Sequence, residues 1–185
     1  MLYHVSNIRG LKVLEPRVST HGKPYVYAIN NMVTALLFGA SKDDFDFLMD
    51  ENELGIPVVY ECYPDAFEKI YSDKSCSVYG IDESGFMSGK TGWNPELVNE
   101  NEVKVLYEIN IDNLYEKLIE EENNGRLIIN RFENLNEYKK IISNHIVDRL
   151  IRFEILDSPI KDDRLLIHFG NIINSLKDIL SGKYL

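Results

Sequence analysis

The chain has 185 residues, 44% hydrophobic and 27% charged, with 30 acidic against 20 basic side chains and a formal charge of -10 at pH 7. That length suits one full core with a small appendage, the charge offers no basic stripe to neutralise nucleic-acid phosphates, and no apolar run approaches the length of a membrane span. Cys62 and Cys76, the two cysteines, are too few for a disulfide framework and lack metal-ligand spacing, so reduced thiols and no metal are expected. The start Met1-Leu2-Tyr3-His4 has no basic region ahead of an apolar stretch, which makes a cytoplasmic protein the expectation.

Leu2–Ser6 and Leu11–Leu14 are short β-prone runs, the second closed by Pro16. Residues 17–24 form a loop rich in turn formers, which includes His21; Arg9, Lys12, Arg17 and Lys23 make a local basic patch able to hold a small anion. From Tyr25 to Ile29 an aromatic, β-branched strand pattern gives way to helical spacing at Val33–Phe38, with Asn30 and Asn31 at the join in the position of an N-cap. Asp50-Glu51-Asn52-Glu53 reads as a solvated acidic turn. Val58–Tyr63 and Ser75–Gly80 are strand-like and are expected to pair as neighbours.

Residues 82–99, with Gly85, Gly89, Gly92 and Trp93, lack periodicity and read as a long functional loop. Glu102–Ile111 alternates as a strand, Asp112 is placed to cap a helix over 113–122 ended by Gly125, and Leu127–Asn130 is a last short strand. From Asn134 the apolar spacing is helical, with Tyr138, Ile142, Ile146 and Leu150 on one face widened by Ile151, Phe153 and Ile155. After a break at Pro159, Leu165, Phe169, Ile173 and Leu180 repeat that spacing to Gly182. The expected division is 1–130 for an α+β domain and 131–185 for a helical extension that packs on it or on a second copy.

Three separated pieces carry a resemblance: His4 within Leu2-Tyr3-His4-Val5-Ser6, Tyr27 followed eleven residues later by Phe38, and Glu102 in Asn101-Glu102-Val103-Lys104-Val105. In order and spacing they resemble the His-Tyr-Glu branch of the ADP-ribosyltransferase superfamily, which includes diphtheria toxin and the poly-ADP-ribose polymerases, over roughly residues 1–112. The resemblance implies a split antiparallel β-sheet core, NAD as substrate, and either transfer of ADP-ribose to an acceptor or hydrolysis of NAD; the acidic charge points to a protein or small molecule rather than nucleic acid as acceptor. The resemblance further implies that His4, Val5 and Ser6 meet the nicotinamide riboside, that Tyr27 and Phe38 hold the nicotinamide ring, that Arg17 pairs with the pyrophosphate, and that Glu102 stabilises the sugar cation. His4, Tyr27 and Glu102 are then the catalytic set.

A carboxylate suits that chemistry because cleavage of the nicotinamide glycosidic bond passes through an oxocarbenium-like sugar. Val5 stands where the family usually has glycine, Phe38 where it has a second tyrosine, and Ala35 where the polymerases have serine. These departures motivate the alternative, a catalytically inactive module of the same fold that binds a partner protein, and the C-terminal helices offer a surface for a homodimer.

Overall fold

The computed structural model describes residues 1–18, 22–152 and 163–181; His21, Phe153, Ile155, Pro159 and Gly182 lie outside them. In chain order the described elements are strands β1 (Leu2–Ser6), β2 (Val13–Leu14), β3 (Arg17–Val18) and β4 (Pro24–Ile29), helix α1 (Met32–Leu36), β5 (Phe47–Glu51), β6 (Pro57–Glu61), α2 (Ala66–Tyr71), β7 (Cys76–Ile81), β8 (Glu96–Asn99), β9 (Val103–Ile111), α3 (Leu114–Asn123), β10 (Ile128–Asn130), α4 (Leu135–Arg152) and α5 (Asp163–Leu180). The protein is mixed α+β, with an antiparallel sheet and C-terminal helices. Among the described residues no helix is long and apolar enough to cross a membrane.

Two compact units form: Met1–Ser41 with Ile70–Leu127, and Lys42–Lys69 with Ile128–Leu185. One boundary, between Leu127 and Ile128, lies close to residue 130, and the second unit also takes in residues 42–69. Residues 42–69 join the C-terminal helices because β6 finds its partner strand in β10, where Ile128 pairs in parallel with Val58 and Asn130 with Tyr60.

In the first unit a seven-stranded sheet runs β2-β9-β7-β1-β4-β3, with β8 also paired to β4. Leu2, Leu14, Val26, Ala28, Tyr79, Ile81 and Val103 form a buried cluster on one face. Side chains alternate along a strand, so Cys76, Val78 and Gly80 leave the other face. The segment after α1 packs there, since a Cβ at Gly39 would stand 2.9 Å from Cys76 Sγ. Gly80 accommodates the Tyr107 ring of the neighbouring strand, whose atoms would lie 2.3 Å from a Cβ at that position.

Asn31 caps α1, its Oδ1 accepting from Val33 N at 2.9 Å and Thr34 N at 3.2 Å. For α3 the cap is Asn113 rather than Asp112, with Oδ1 accepting from Glu116 N at 3.1 Å. Gly125, at φ 69°, supplies the left-handed residue just past that helix. The outer edge of β9 is covered by the chain that leads from β1 to β2: Val105 N donates to Lys12 O, Gly10 N to Glu108, and Arg9 pairs with Asp112 at 2.7 Å. Covering an edge in this way removes a template for aggregation.

The second unit contains a three-stranded sheet in the order β10-β6-β5 and helices α4 and α5. Val58–Tyr63 and Ser75–Gly80 are thus not neighbours: β6 pairs with β5 and β10, whereas β7 pairs with β1 and β9. The Pro64 turn leads into α2, along which the chain passes from one unit to the other, so adjacency in sequence does not become pairing. The expected acidic turn is partly strand, for Asp50 and Glu51 end β5 and Asn52 Oδ1 holds the turn by accepting from Leu54 N and Ile56 N at 3.0 Å.

Buried carboxylates hold the second unit together. Asp46 accepts from Asp43 N at 2.8 Å and Tyr63 OH at 2.9 Å and pairs with Arg164, which also reaches Asp43 at 2.8 Å. Burial, with the Asp46 carboxylate beside it, pushes the Tyr63 phenol up to about 12. Both cysteines are buried free thiols, and burial pushes Cys62 up to about 12 and Cys76 up to about 11, which leaves them unreactive near neutrality.

His145 of α4 is buried, with Nε2–H donating to Asp44 O at 2.7 Å. Burial holds its pKa below the usual 6.5 despite that bond, and His4 is depressed by burial in the same way. Between the depressed folded value and 6.5 the unfolded chain binds more protons, so stability is fully present above 6.5 and is lost as pH falls through the folded pKa. The melting temperature is therefore expected to fall between pH 7.5 and 5.5, and His145→Gln to flatten that slope; an unchanged slope in the variant would assign the effect elsewhere.

Candidate functional site

β1 and β4 are joined at one residue pair, Tyr3 opposite Ile29. Their next link is a side chain: His4 Nδ1–H donates to Tyr27 O at 2.8 Å. That bond fixes the tautomer and leaves Nε2 as the acceptor of a neutral ring. Burial is the main cause of the lowered His4 pKa, and the positive charge of Arg17 acts in the same direction, so the ring is neutral at pH 7.

Strand alternation separates the side chains of the two residues. His4 leaves the face of Leu2, opposite Tyr79, whereas Tyr27 alternates with Val26 and Ala28 of the buried cluster and so leaves the other face, the one on which the chain following α1 packs. His4 thus meets the backbone of Tyr27. By the same alternation Val5 shares the Tyr27 face, and Ser6 turns its hydroxyl to Ile8 N at 3.1 Å.

Tyr27 shares its face with several neighbours. Tyr25 packs edge-on against it, with ring centroids 6.0 Å apart. Arg17 of β3 lies opposite Tyr25 and therefore on that face. Across β8, Val98 lies opposite Tyr27 and Glu96 opposite Ile29, so Glu96 is the diagonal neighbour of Tyr27, a relation that spaces side chains by about 7–8 Å. Burial raises the Tyr27 pKa, and the Glu96 charge adds to that rise.

Glu96 opens β8 at the end of a turn in which its N–H donates to Trp93 O at 3.1 Å. The Trp93 ring in turn packs on Phe38, with centroids 5.4 Å apart and planes inclined at 50°. The structure thus groups Arg17, Tyr27 and Glu96 on one sheet face, with the Phe38–Trp93 pair joined to Glu96 through the turn. Glu102 is exposed on the connection between β8 and β9, immediately before β9.

On the His4 face a different carboxylate is held. Glu108 Oε1 accepts from Gly10 N at 2.9 Å and Ser77 Oγ at 2.7 Å, while Tyr79 OH donates to Ile8 O at 2.6 Å. The Gly10 and Ser77 bonds keep the Glu108 carboxyl below the usual range. This network fastens the chain after β1 through Glu108 Oε1. A surface depression of about 280 Å³ lies on α3, lined by Tyr115, Glu116, Ile119, Glu120, Asn123 and Asn124, and shares no residue with the Tyr27 face. Among the described residues no group of three or more His, Cys, Asp or Glu is placed to hold a metal ion.

Glu96 and Trp93 escaped the sequence reading as site residues. Their signal is the run Trp93-Asn94-Pro95-Glu96-Leu97-Val98-Asn99, a proline turn followed by an apolar pair between polar residues, but a strand of four residues is inconspicuous beside the nine of β9. No family model matches the chain, and no curated protein or solved structure matches it either.

Proposed function

We propose that the first unit is an ADP-ribosyltransferase-like core and that the protein is an NAD-dependent mono-ADP-ribosyltransferase, with Glu96 rather than Glu102 as its carboxylate. The observation that carries this is the placement of Glu96 on the Tyr27 face, on the strand paired to β4, with Arg17 on the same face and His4 bridging β1 to Tyr27 O.

In this function the nicotinamide ring stacks on Tyr27 and Phe38, and Arg17 offers its guanidinium fork to the pyrophosphate. His4, neutral and on the opposite face of the sheet, acts through the backbone: its Nδ1–H holds the Tyr27 carbonyl and so positions the strand that presents Tyr27. The bond from ribose C1′ to the nicotinamide nitrogen breaks, its electron pair leaving with nicotinamide. The Glu96 carboxylate stabilises the positive charge that develops on the sugar, and the acceptor nucleophile bonds to C1′ and gives up its proton. The acceptor is a protein or small molecule, in keeping with the net charge of -10. Pairing of two copies through the C-terminal helices belongs to the same proposal and rests on exposed Leu166 and Ile167 of α5.

A second function, a catalytically inactive partner-binding module of the same fold, is favoured by one observation: Trp93 already packs against Phe38. Incubation with NAD labelled in nicotinamide separates the two. Labelled nicotinamide released above the protein-free control is the expected result, and none released over a day at millimolar NAD would select the inactive module.

A further inference from the structure

Phe38 and Trp93 are both partly accessible, yet each covers the other. A planar ring held between two aromatic faces separates them by roughly 7 Å, twice the usual stacking distance, and a pair already in contact at 5.4 Å leaves no such gap. A nicotinamide ring stacking on the face of Phe38 that the indole covers therefore requires the indole to leave.

The segment that carries Trp93 is built to let it do so. Its base is fastened: Met87 and Val98 exchange two backbone hydrogen bonds of 2.8 and 3.0 Å, and Asn99 Oδ1 accepts from Asn101 N at 2.9 Å. Between Met87 and the turn at Trp93 stand Gly89 and Gly92 at φ 70° and 79°, and neither has any atom within 4 Å of where a Cβ would lie. No packing demands glycine there, so their use is conformational; between them lie exposed Lys90 and buried Thr91, whose Oγ1 donates to Trp93 O at 3.5 Å. Trp93 directly follows Gly92. Its outward motion leaves the Met87–Val98 ladder bonds in place and works against the turn contacts at Trp93 O, from Glu96 N at 3.1 Å and Thr91 Oγ1 at 3.5 Å.

We infer that Trp93 is a gate on the nicotinamide subsite: its indole occupies Phe38 in the unliganded protein, swings out about Gly89 and Gly92 when substrate arrives, and lowers the apparent affinity by the worth of the aromatic pair. This rests on the proposed function and adds to it a closed resting state. The same contact that favours an inactive module then becomes a reversible cover.

Trp93 is the only tryptophan of the chain, so emission excited at the red edge of its absorption reports its position without a label. The experiment titrates the 185-residue chain with NAD, reading emission wavelength and calorimetric heat together, for the unsubstituted protein, Trp93→Ala and Phe38→Ala. The gate predicts a shift of emission to longer wavelength that saturates with the heat, the same shift in Phe38→Ala before any NAD is added, and NAD binding by Trp93→Ala that is tighter by about two- to tenfold, the value of one aromatic pair. Unaltered circular dichroism in both variants shows that they fold.

Heat without an emission shift overturns the gate and leaves the proposed function standing. Weaker binding by Trp93→Ala also overturns it, since Trp93 would then be a wall of the site. Absence of heat from both the unsubstituted protein and Trp93→Ala overturns the proposed function, and the gate with it.

Discussion

Glu96→Gln is expected to lower nicotinamide release from NAD by about 10²- to 10³-fold, the loss typical when one preorganised electrostatic partner of a transition state is removed, while Glu102→Gln leaves release unchanged. Glutamine keeps the size and the hydrogen-bonding oxygen of Glu96 but removes its charge, so substrate affinity should change far less than turnover. The two carboxylates differ in what surrounds them. Glu96 begins a strand paired to β4 and is the diagonal neighbour of Tyr27, whereas Glu102 is exposed two residues beyond Glu100 on the connection to β9. Single-turnover release by the two variants, measured side by side at saturating NAD, checks this. The opposite order, with Glu102→Gln inactive and Glu96→Gln active, would return the catalytic role to Glu102.

Glu61→Ala is expected to destabilise the second unit by about 3 kcal/mol, because its carboxylate serves two backbone donors that nothing else on the alanine side chain can satisfy. Glu61 is 2% exposed; Oε1 accepts from Phe67 N at 2.7 Å and Oε2 from Phe132 N at 2.9 Å, and the Tyr138 hydroxyl donates to the Glu61 carbonyl at 3.2 Å. One carboxylate thereby fixes both the start of α2 and the chain that enters α4. For a chain of this size the loss corresponds to a melting temperature lower by roughly 6–12 °C. Glu61→Gln should fall between, since its oxygen still takes one N–H while its amide group turns a donor toward the other. Thermal melts of the three proteins at pH 7 decide it, and an unshifted Glu61→Ala would show that water satisfies both donors.

Elements with long, regular spacing were legible in the sequence. β1, β4, β9, α3 with Gly125 behind it, and the two C-terminal helices each present several repeats of one period, and local periodicity is what a sequence displays directly. β8 was not legible, because its four residues, Glu96-Leu97-Val98-Asn99, do not alternate and a glycine-rich loop precedes them. Pairing was less visible than the elements themselves: β6 and β7 read as neighbours, but a turn at Pro64 carries no mark that the next helix leads into another unit.

In the candidate site, His4, Tyr27 and Phe38 stood out through their order. Which face each would occupy depends on the Tyr3–Ile29 register between β1 and β4, and a shift of one residue would exchange the faces. No property of the individual residues encodes that register. The same dependence explains Glu96, whose position beside Tyr27 follows from β8 pairing with β4, a pairing between segments far apart in sequence.

The parallel pairing of β6 with β10, reinforced by Glu61 holding the Phe132 N–H from 71 residues away, sets an order of events during synthesis. Val58, Val59 and Phe67 leave the ribosome early, yet the strand that flanks β6 comes only after β7, β8, β9 and α3 have been made. At about 5–20 residues per second, these apolar residues wait for seconds beside a β5 hairpin partner that covers one edge alone. The equilibrium cost of so long a closure is small, since loop entropy grows only logarithmically with length. Its cost is kinetic: the first unit has its last strand, β9, before the second can close, and the open edge of β6 is where a nascent chain of this protein is most exposed to wrong pairing and to chaperones.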